Sequence, residues 1–176
     1  MYPEKGVVHL DVARPLPFPA ASLRYVFSEH LIEHLPYATG IRLLAEIHRV
    51  LADGGKIRIA TPDMAFLVRL YHEPNREYIE WAAQFSSFRP PTAVHNINNF
   101  FRASGHQFIW DFPTLQSALE SAGFSSVTRC QPGESDDPVL RGIEMHGKAI
   151  GDQWNKLETF VVEATKLPGL AAGNDH

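Results

Sequence analysis

One stretch of this chain, residues 39–61, narrows the choice of folds more than any other. Between 39 and 51 the apolar residues Leu43, Leu44, Ile47, Val50 and Leu51 fall on one helical stripe, while Arg42, Glu46 and Arg49 face away. Gly54 and Gly55 end that helix and permit positive φ. They follow a helix rather than open one, which is the wrong direction for a phosphate loop. A strand over 56–61 comes next, with Ile57 and Ile59 alternating with polar neighbours, and Pro62 stops it. Residues 23–27 predict an earlier strand, Val26 and Phe27 being well suited to a pleated surface. Strand, helix, strand is a βαβ crossover, which favours a parallel pair with a right-handed connection.

The flanks extend this α/β reading. Residues 6–10 predict a short strand, and Pro15, Pro17 and Pro19 mark a rigid turn after it. Residues 63–90 look largely helical, with Phe66, Leu67, Leu70 and Tyr71 at helical spacing, until Pro90 and Pro91 break the pattern. Residues 92–110 read as aromatic and irregular. A short helix over 113–122 ends at Gly123. Strands over 126–130 and 159–165, separated by a loop, complete the chain. A single domain over 1–167 is expected, with 168–176 a frayed tail. With 44% hydrophobic and 20% charged residues, the 176-residue chain suits one soluble core. A net charge of −4 gives no reason to expect nucleic acid as a partner. Cys130 is the only cysteine, so no intramolecular disulfide or cysteine-rich zinc site is possible. No apolar run has the ~20 residues of a membrane span and the N-terminus lacks a signal-peptide layout, so a cytoplasmic location is expected.

The string HLDVARPLPFPAASLRYVFSEHLIEHLP, followed by LLAEIHRVLADGGKIRIATPD, resembles the class I S-adenosylmethionine-dependent methyltransferases. That family shows an Asp, an LPF turn, a strand, an EHxxEHL segment and an RVLxxGG-strand in this order. The later segment HQFIWDFPTLQSALESAGF resembles a group of predicted methyltransferases, which often continue with GES and RGxE. The resemblance implies a Rossmann-like sheet carrying the family's strands three to five and its C-terminal antiparallel pair. It also implies that the first two strands, with their glycine-rich cofactor loop, have no counterpart among these residues. In the family's sheet, strand one lies between strands three and four. Its absence should bare the edge of the strand over 23–27, to be covered by an inward shift of residues 6–10 or by a second copy in a homodimer. A start further upstream is a third possibility.

The resemblance also points to site residues. Asp11 stands where the family often accepts a hydrogen bond from the adenine amino group, its neighbour Val12 offering a backbone amide; the plain alternative is a turn-shaping role before Pro15. Ser28, Glu29 and His30 lie where a strand hands over to the next element, the edge at which open α/β sheets collect ligands. Ser28 is the third cofactor-side candidate. Glu29 and His30 are the catalytic candidates, to orient an acceptor or take its proton. Their alternative is a helix start capped by Ser28. His106, Asp111 and Glu144 are the candidates for substrate binding, with Asp111 equally suited to cap the short helix.

Three functions compete. The first is methyl transfer from S-adenosylmethionine to a polar small molecule or glycan. The second is a non-catalytic methyltransferase-like binding or oligomerisation module. The third is a zinc hydrolase, since His30 to His34 spells HxxEH and histidines four apart on one helical face can share a zinc ion, Glu46, Asp63 or His72 being third ligands by type. Pro36 argues against it by cutting the helix short, and no resident metal is expected.

Overall fold

The computed structural model describes residues 7–86, 89–102 and 104–168. Its strands are β1 (Leu23–Glu29), β2 (Leu51–Pro62), β3 (Ser125–Cys130) and β4 (Thr159–Thr165), in the sheet order β1-β2-β4-β3. β1 and β2 are parallel, with Val26 opposite Ile57 and Glu29 opposite Ala60, and the connection passes through α1 (Tyr37–Val50). β4 runs antiparallel to both β2 and β3. The crossover forms as the residue pattern predicts, and the C-terminal antiparallel pair as the resemblance implies. Further helices are α2 (Met64–His72), α3 (Arg76–Ala82), α4 (Ala93–Arg102), α5 (Phe112–Ser121), α6 (His146–Ile150) and α7 (Asp152–Glu158).

One face of the sheet carries the main core. Leu43, Leu44, Ile47 and Val50 of α1 and Leu115 and Leu119 of α5 pack with Ile57, Ile59, Phe160 and Val162 of the strands. Full burial of a side chain of this size contributes roughly 1.5–3 kcal/mol, so this face holds the sheet to its helices. A second cluster forms where α2, α3 and α4 meet, from Phe66, Leu67, Leu70, Tyr78, Ile79 and Ala93 with Ile109.

The opposite face follows from strand alternation. Ile57 and Ile59 point into the core, which sends Arg58 the other way. Its guanidinium is fully buried, pairs with Glu144 at 2.5 Å and with Glu163, and donates to the Glu134 carbonyl. Tyr25 and Lys56 on the same face reach Asp137 at 3.2 and 2.9 Å. The segment from Glu134 to Met145 thus covers this side with charge rather than with a helix.

Several expectations change. Residues 7–10 are exposed and form no strand; Gly6 lies outside the described residues, as do 169–176 of the expected tail. Residues 7–10 therefore do not make the inward pairing with β1, and among the described residues β1 is the last strand of the sheet on its side. Residues 93–102, expected to be irregular, are α4, because hydrophobic residues among the asparagines recur at helical spacing. The loop between the last two strands contains α6 and α7. α1 ends at Val50, not at the glycines: Gly54 (φ 74°) and Gly55 sit in the irregular start of β2. A Cβ on Gly55 would lie 2.7 Å from the Ala52 carbonyl oxygen, so a side chain there forces the backbone to shift. Glu46 and Arg49, expected on a solvent face, hold the proline-rich turn instead. Glu46 accepts from the Leu16 amide, and Arg49 donates to the Leu16 and Phe18 carbonyls. Among the described residues no helix is long and apolar enough to cross a membrane.

Removing one member of a buried charge cluster leaves the others uncompensated, at a cost of roughly 3–5 kcal/mol. Arg58→Met should accordingly lower the urea-unfolding free energy by about 3 kcal/mol at neutral pH. A loss under about 1 kcal/mol would mean that the cluster does not organise this face.

Candidate functional site

The parallel pairing brings the ends of β1 and β2 to the same edge of the sheet, and the start of antiparallel β4 joins them there. Glu29, His30, Pro62, Glu158 and Thr159 therefore converge although they are far apart in sequence. β1 ends at Glu29, whose carboxylate accepts from the backbone amides of Met145 and His146, each at 2.9 Å. This fixes the entry into α6 beside the strand end.

His30 follows with φ of 47°, a left-handed conformation uncommon outside glycine. The turn aims its ring along the sheet edge. His30 Nδ1 lies 3.1 Å from Glu33 Oε1, its Nε2 lies 3.4 Å from Thr159 Oγ1, and its ring centroid is 3.8 Å from that of His146. A neutral imidazole that donates from Nδ1 to Glu33 presents Nε2 as an acceptor.

Glu33 is the buried anchor of this edge, with no exposed surface. Its second oxygen accepts from Thr61 Oγ1 at 2.9 Å. Burial opposes its ionisation, but the hydrogen bond and charge of His30, a backbone contact and Thr61 outweigh it, and the pKa falls below the ordinary carboxylate value. The Glu33 carbonyl accepts from the amides of Gln107 and Phe108 at 2.8 and 3.1 Å, which brings His106 to the same wall. Burial pushes the His106 imidazole below its ordinary pKa, against the opposing pull of Glu33, and Nδ1 of this ring has no hydrogen-bond partner.

His30, His106 and Thr159's neighbour Glu158 line a cavity of about 330 Å³. His30, His34, His106 and His146 form one wall with Glu158; Tyr78, Trp81, Phe85 and Phe100 form another, and Asn96 and Asn99 add amides. Tyr78 donates to Glu158 Oε2 at 2.5 Å; burial first, then the charge of Glu158, raises the phenol pKa, so it stays protonated as a donor. Glu158 Oε1 is 3.6 Å from His146 Nε2. Trp81 stacks on Trp154 with centroids 5.1 Å apart, which stiffens the aromatic wall.

Of the residues singled out from sequence, His30 and His106 stand on the cavity wall. Glu29 sits behind it, its carboxylate occupied by backbone amides. Ser28 does not cap a helix, because β1 continues through it to Glu29; its hydroxyl is buried without a hydrogen-bond partner. Asp11 accepts from the Ala13 amide at 3.0 Å and pairs with Arg14, the turn-shaping alternative. Val12 packs against the main core. Asp111 caps α5 through the Thr114 amide at 2.9 Å. Glu144 belongs to the Arg58 cluster on the opposite face of the sheet rather than to the cavity. The HxxEH string does not lie on one α-helical face, since His30 ends a strand and residues 32–34 form a single 3-10 turn. Of the third ligands considered, Glu46 holds Arg49, Asp63 caps α2 and pairs with Arg129, and His72 is exposed. Tyr78, Trp81 and Glu158 were not foreseen. Glu158 had a legible signal, since the start of a strand antiparallel to β2 must lie at the end where β2 finishes.

Residues 2–59 match the family model described as a methyltransferase domain. Among solved structures, an S-adenosylmethionine-dependent methyltransferase from Archaeoglobus fulgidus aligns with 93% of this chain and 68% of its own, at 19% identity and a TM-score of 0.54. One from Mesorhizobium loti aligns with 93% and 71%, at 14% identity and a TM-score of 0.53. The complex of the Haloferax volcanii Trm112 methyltransferase activator with a methyltransferase aligns with 92% of this chain and 60% of its own, at 17% identity and a TM-score of 0.51. The fold is that of the class I methyltransferases. This chain spans about 60–71% of the length of these three structures. No curated protein matches the sequence.

Within this methyltransferase fold, Glu33 couples stability to pH. Its folded pKa is depressed, so its contribution is fully present above the unfolded value of about 4.3. That contribution is lost as pH falls through the folded value. Glu33→Gln should be less stable than the parent at pH 7, and the gap should narrow in urea melts as pH drops below about 4. A gap that stays constant from pH 7 to pH 3 would contradict this role.

Proposed function

We propose that this chain carries the acceptor side of an S-adenosylmethionine-dependent methyl transfer to a polar small molecule or glycan unit. The observation that carries the reading is the cavity at the ends of the parallel strands, where ligands collect in open α/β sheets. It faces a histidine-rich wall toward aromatic side chains and amides. That mixture suits a ligand with hydroxyls along one side and an apolar face on the other.

On the cofactor side, the described residues fit in part. Ser28 offers a buried hydroxyl with unused hydrogen-bonding capacity, whereas the Asp11 carboxylate is engaged in its own turn. When bound, S-adenosylmethionine supplies a methyl group already activated on a sulfonium. The work left to these residues is to bind and orient the acceptor. In this reading His30 accepts a hydrogen bond from the acceptor hydroxyl through Nε2, held in place by Glu33. His146 lies beside it with Glu158 behind, and Trp81 and Tyr78 support the apolar face.

Calorimetry with S-adenosylmethionine and S-adenosylhomocysteine tests the cofactor half. Saturable binding is expected, and none at millimolar ligand would favour the non-catalytic binding module. Transfer of a labelled methyl group to a panel of sugars and small polyols tests the acceptor half. His30→Ala and His146→Ala should each lower turnover by about 100-fold, with cofactor affinity unchanged. Equal turnover in parent and variants would place the acceptor elsewhere.

A further inference from the structure

We propose that Glu33, His34 and His106 form a binding site for a first-row divalent metal ion of the zinc class. The inference goes beyond the methyl-transfer reading and is tested without the cofactor. One carboxylate oxygen and one ring nitrogen from each histidine lie within 4.8 Å of one another. A tetrahedral ion with bonds of about 2.0–2.1 Å holds its ligand atoms roughly 3.3 Å apart.

Three features distinguish this group from a chance meeting of polar side chains. The first is that the ligand segments are stapled together. The Glu33 carbonyl accepts from the Gln107 and Phe108 amides, and the Gln107 side chain donates to the His34 carbonyl at 2.9 Å. The spacing between the 33–34 and 106 donors is therefore set by the backbone. The second is the supporting shell: Glu33 is held by His30 and Thr61, and the His106 ring packs against those of His34 and Phe100. Metal ligands characteristically have such partners, which fix their orientation. Each Glu33 oxygen keeps a lone pair beyond those bonds. The third is the buried His106 Nδ1, which is closed to solvent and has no hydrogen-bond partner; in the tautomer with its proton on Nε2 it offers a lone pair. A buried polar atom without a partner calls for an explanation such as an ion or a water.

The chemistry of the donors sets the class of ion. Two imidazoles and one carboxylate suit zinc and its first-row neighbours, and are a poor set for calcium or magnesium, which take oxygen ligands. Three protein ligands leave coordination positions open, as in catalytic rather than structural zinc sites. His34 and His106 line the cavity, so an oxygen or nitrogen donor of a molecule bound there can complete the shell. The ligand set differs from the one the HxxEH string implies: His30 supports Glu33, and His106 comes from a distant segment.

Titration of tag-free, chelator-treated protein with ZnCl2, followed by calorimetry, should give one tight site per chain. The cobalt(II) form should show the visible absorption of a four- or five-coordinate ion. His34→Ala and His106→Ala should each weaken zinc binding by at least 100-fold, while His72→Ala, on the exposed end of α2, leaves it unchanged. Circular dichroism checks that each variant folds. If one ligand variant is unfolded, the other decides, because His34 is only half-buried and its loss leaves the core intact. Absence of a stoichiometric site in the parent, or parental affinity in either folded ligand variant, overturns the proposal.

Discussion

A carboxylate with no solvent exposure has to find all its hydrogen-bond partners inside the protein, and those of Glu33 organise the functional edge of this molecule. Its side chain joins Thr61 at the end of β2 to the His30 ring beyond the end of β1. Its carbonyl takes the amides of Gln107 and Phe108, which draws in His106 and sets Phe108 and Trp110 against the main core. Three parts of the chain, around residues 30, 61 and 107, are positioned by one amino acid. Because the interaction is buried and ionised, acid that protonates Glu33 should loosen this edge.

The sheet has two unlike faces, and the difference has a physical origin. One face is covered by amphipathic helices whose leucines and isoleucines need no partner beyond close packing. The other receives the long segment from Glu134 to Met145, which carries few large apolar residues. Arg58 makes that arrangement workable. Its planar guanidinium satisfies Glu144, Glu163 and a backbone carbonyl together, a geometry that an ammonium group matches poorly. Glu29 then ties the end of this segment to the functional edge through the amides of Met145 and His146. The charged face and the cavity are thus successive parts of one covering segment.

Much of the fold was legible because it rests on local periodicity. The stripe of Leu43, Leu44, Ile47 and Val50, the alternation of Ile57 and Ile59, and the proline at 62 each act over a few residues. The misread elements have local reasons too. α4 is rich in asparagine and aromatic residues, which are weak helix formers taken singly, and its helix depends on burying Ala93 and Asn96 against α3. Residues 7–10 have strand-forming composition but no partner strand. A strand exists only through its pairing, so composition there could not decide.

By itself the sequence determined the class of fold, the βαβ crossover with its antiparallel end, and the strand terminus at which a site would form. The crossover follows from side-chain periods of 3.6 and 2 residues, which are properties of short segments, and the antiparallel end from the resemblance to the methyltransferase sheet. Which side chains share the site was decided only by the tertiary structure. His30 and Glu29 were visible at the strand end, but sequence could not tell that backbone amides occupy Glu29, that Arg58 takes Glu144, or that Asp11 closes its own turn. Nor could it bring His106, His146 and Glu158 to His30. Those outcomes depend on which of several competing partners lies within hydrogen-bond reach, and long-range packing sets that distance.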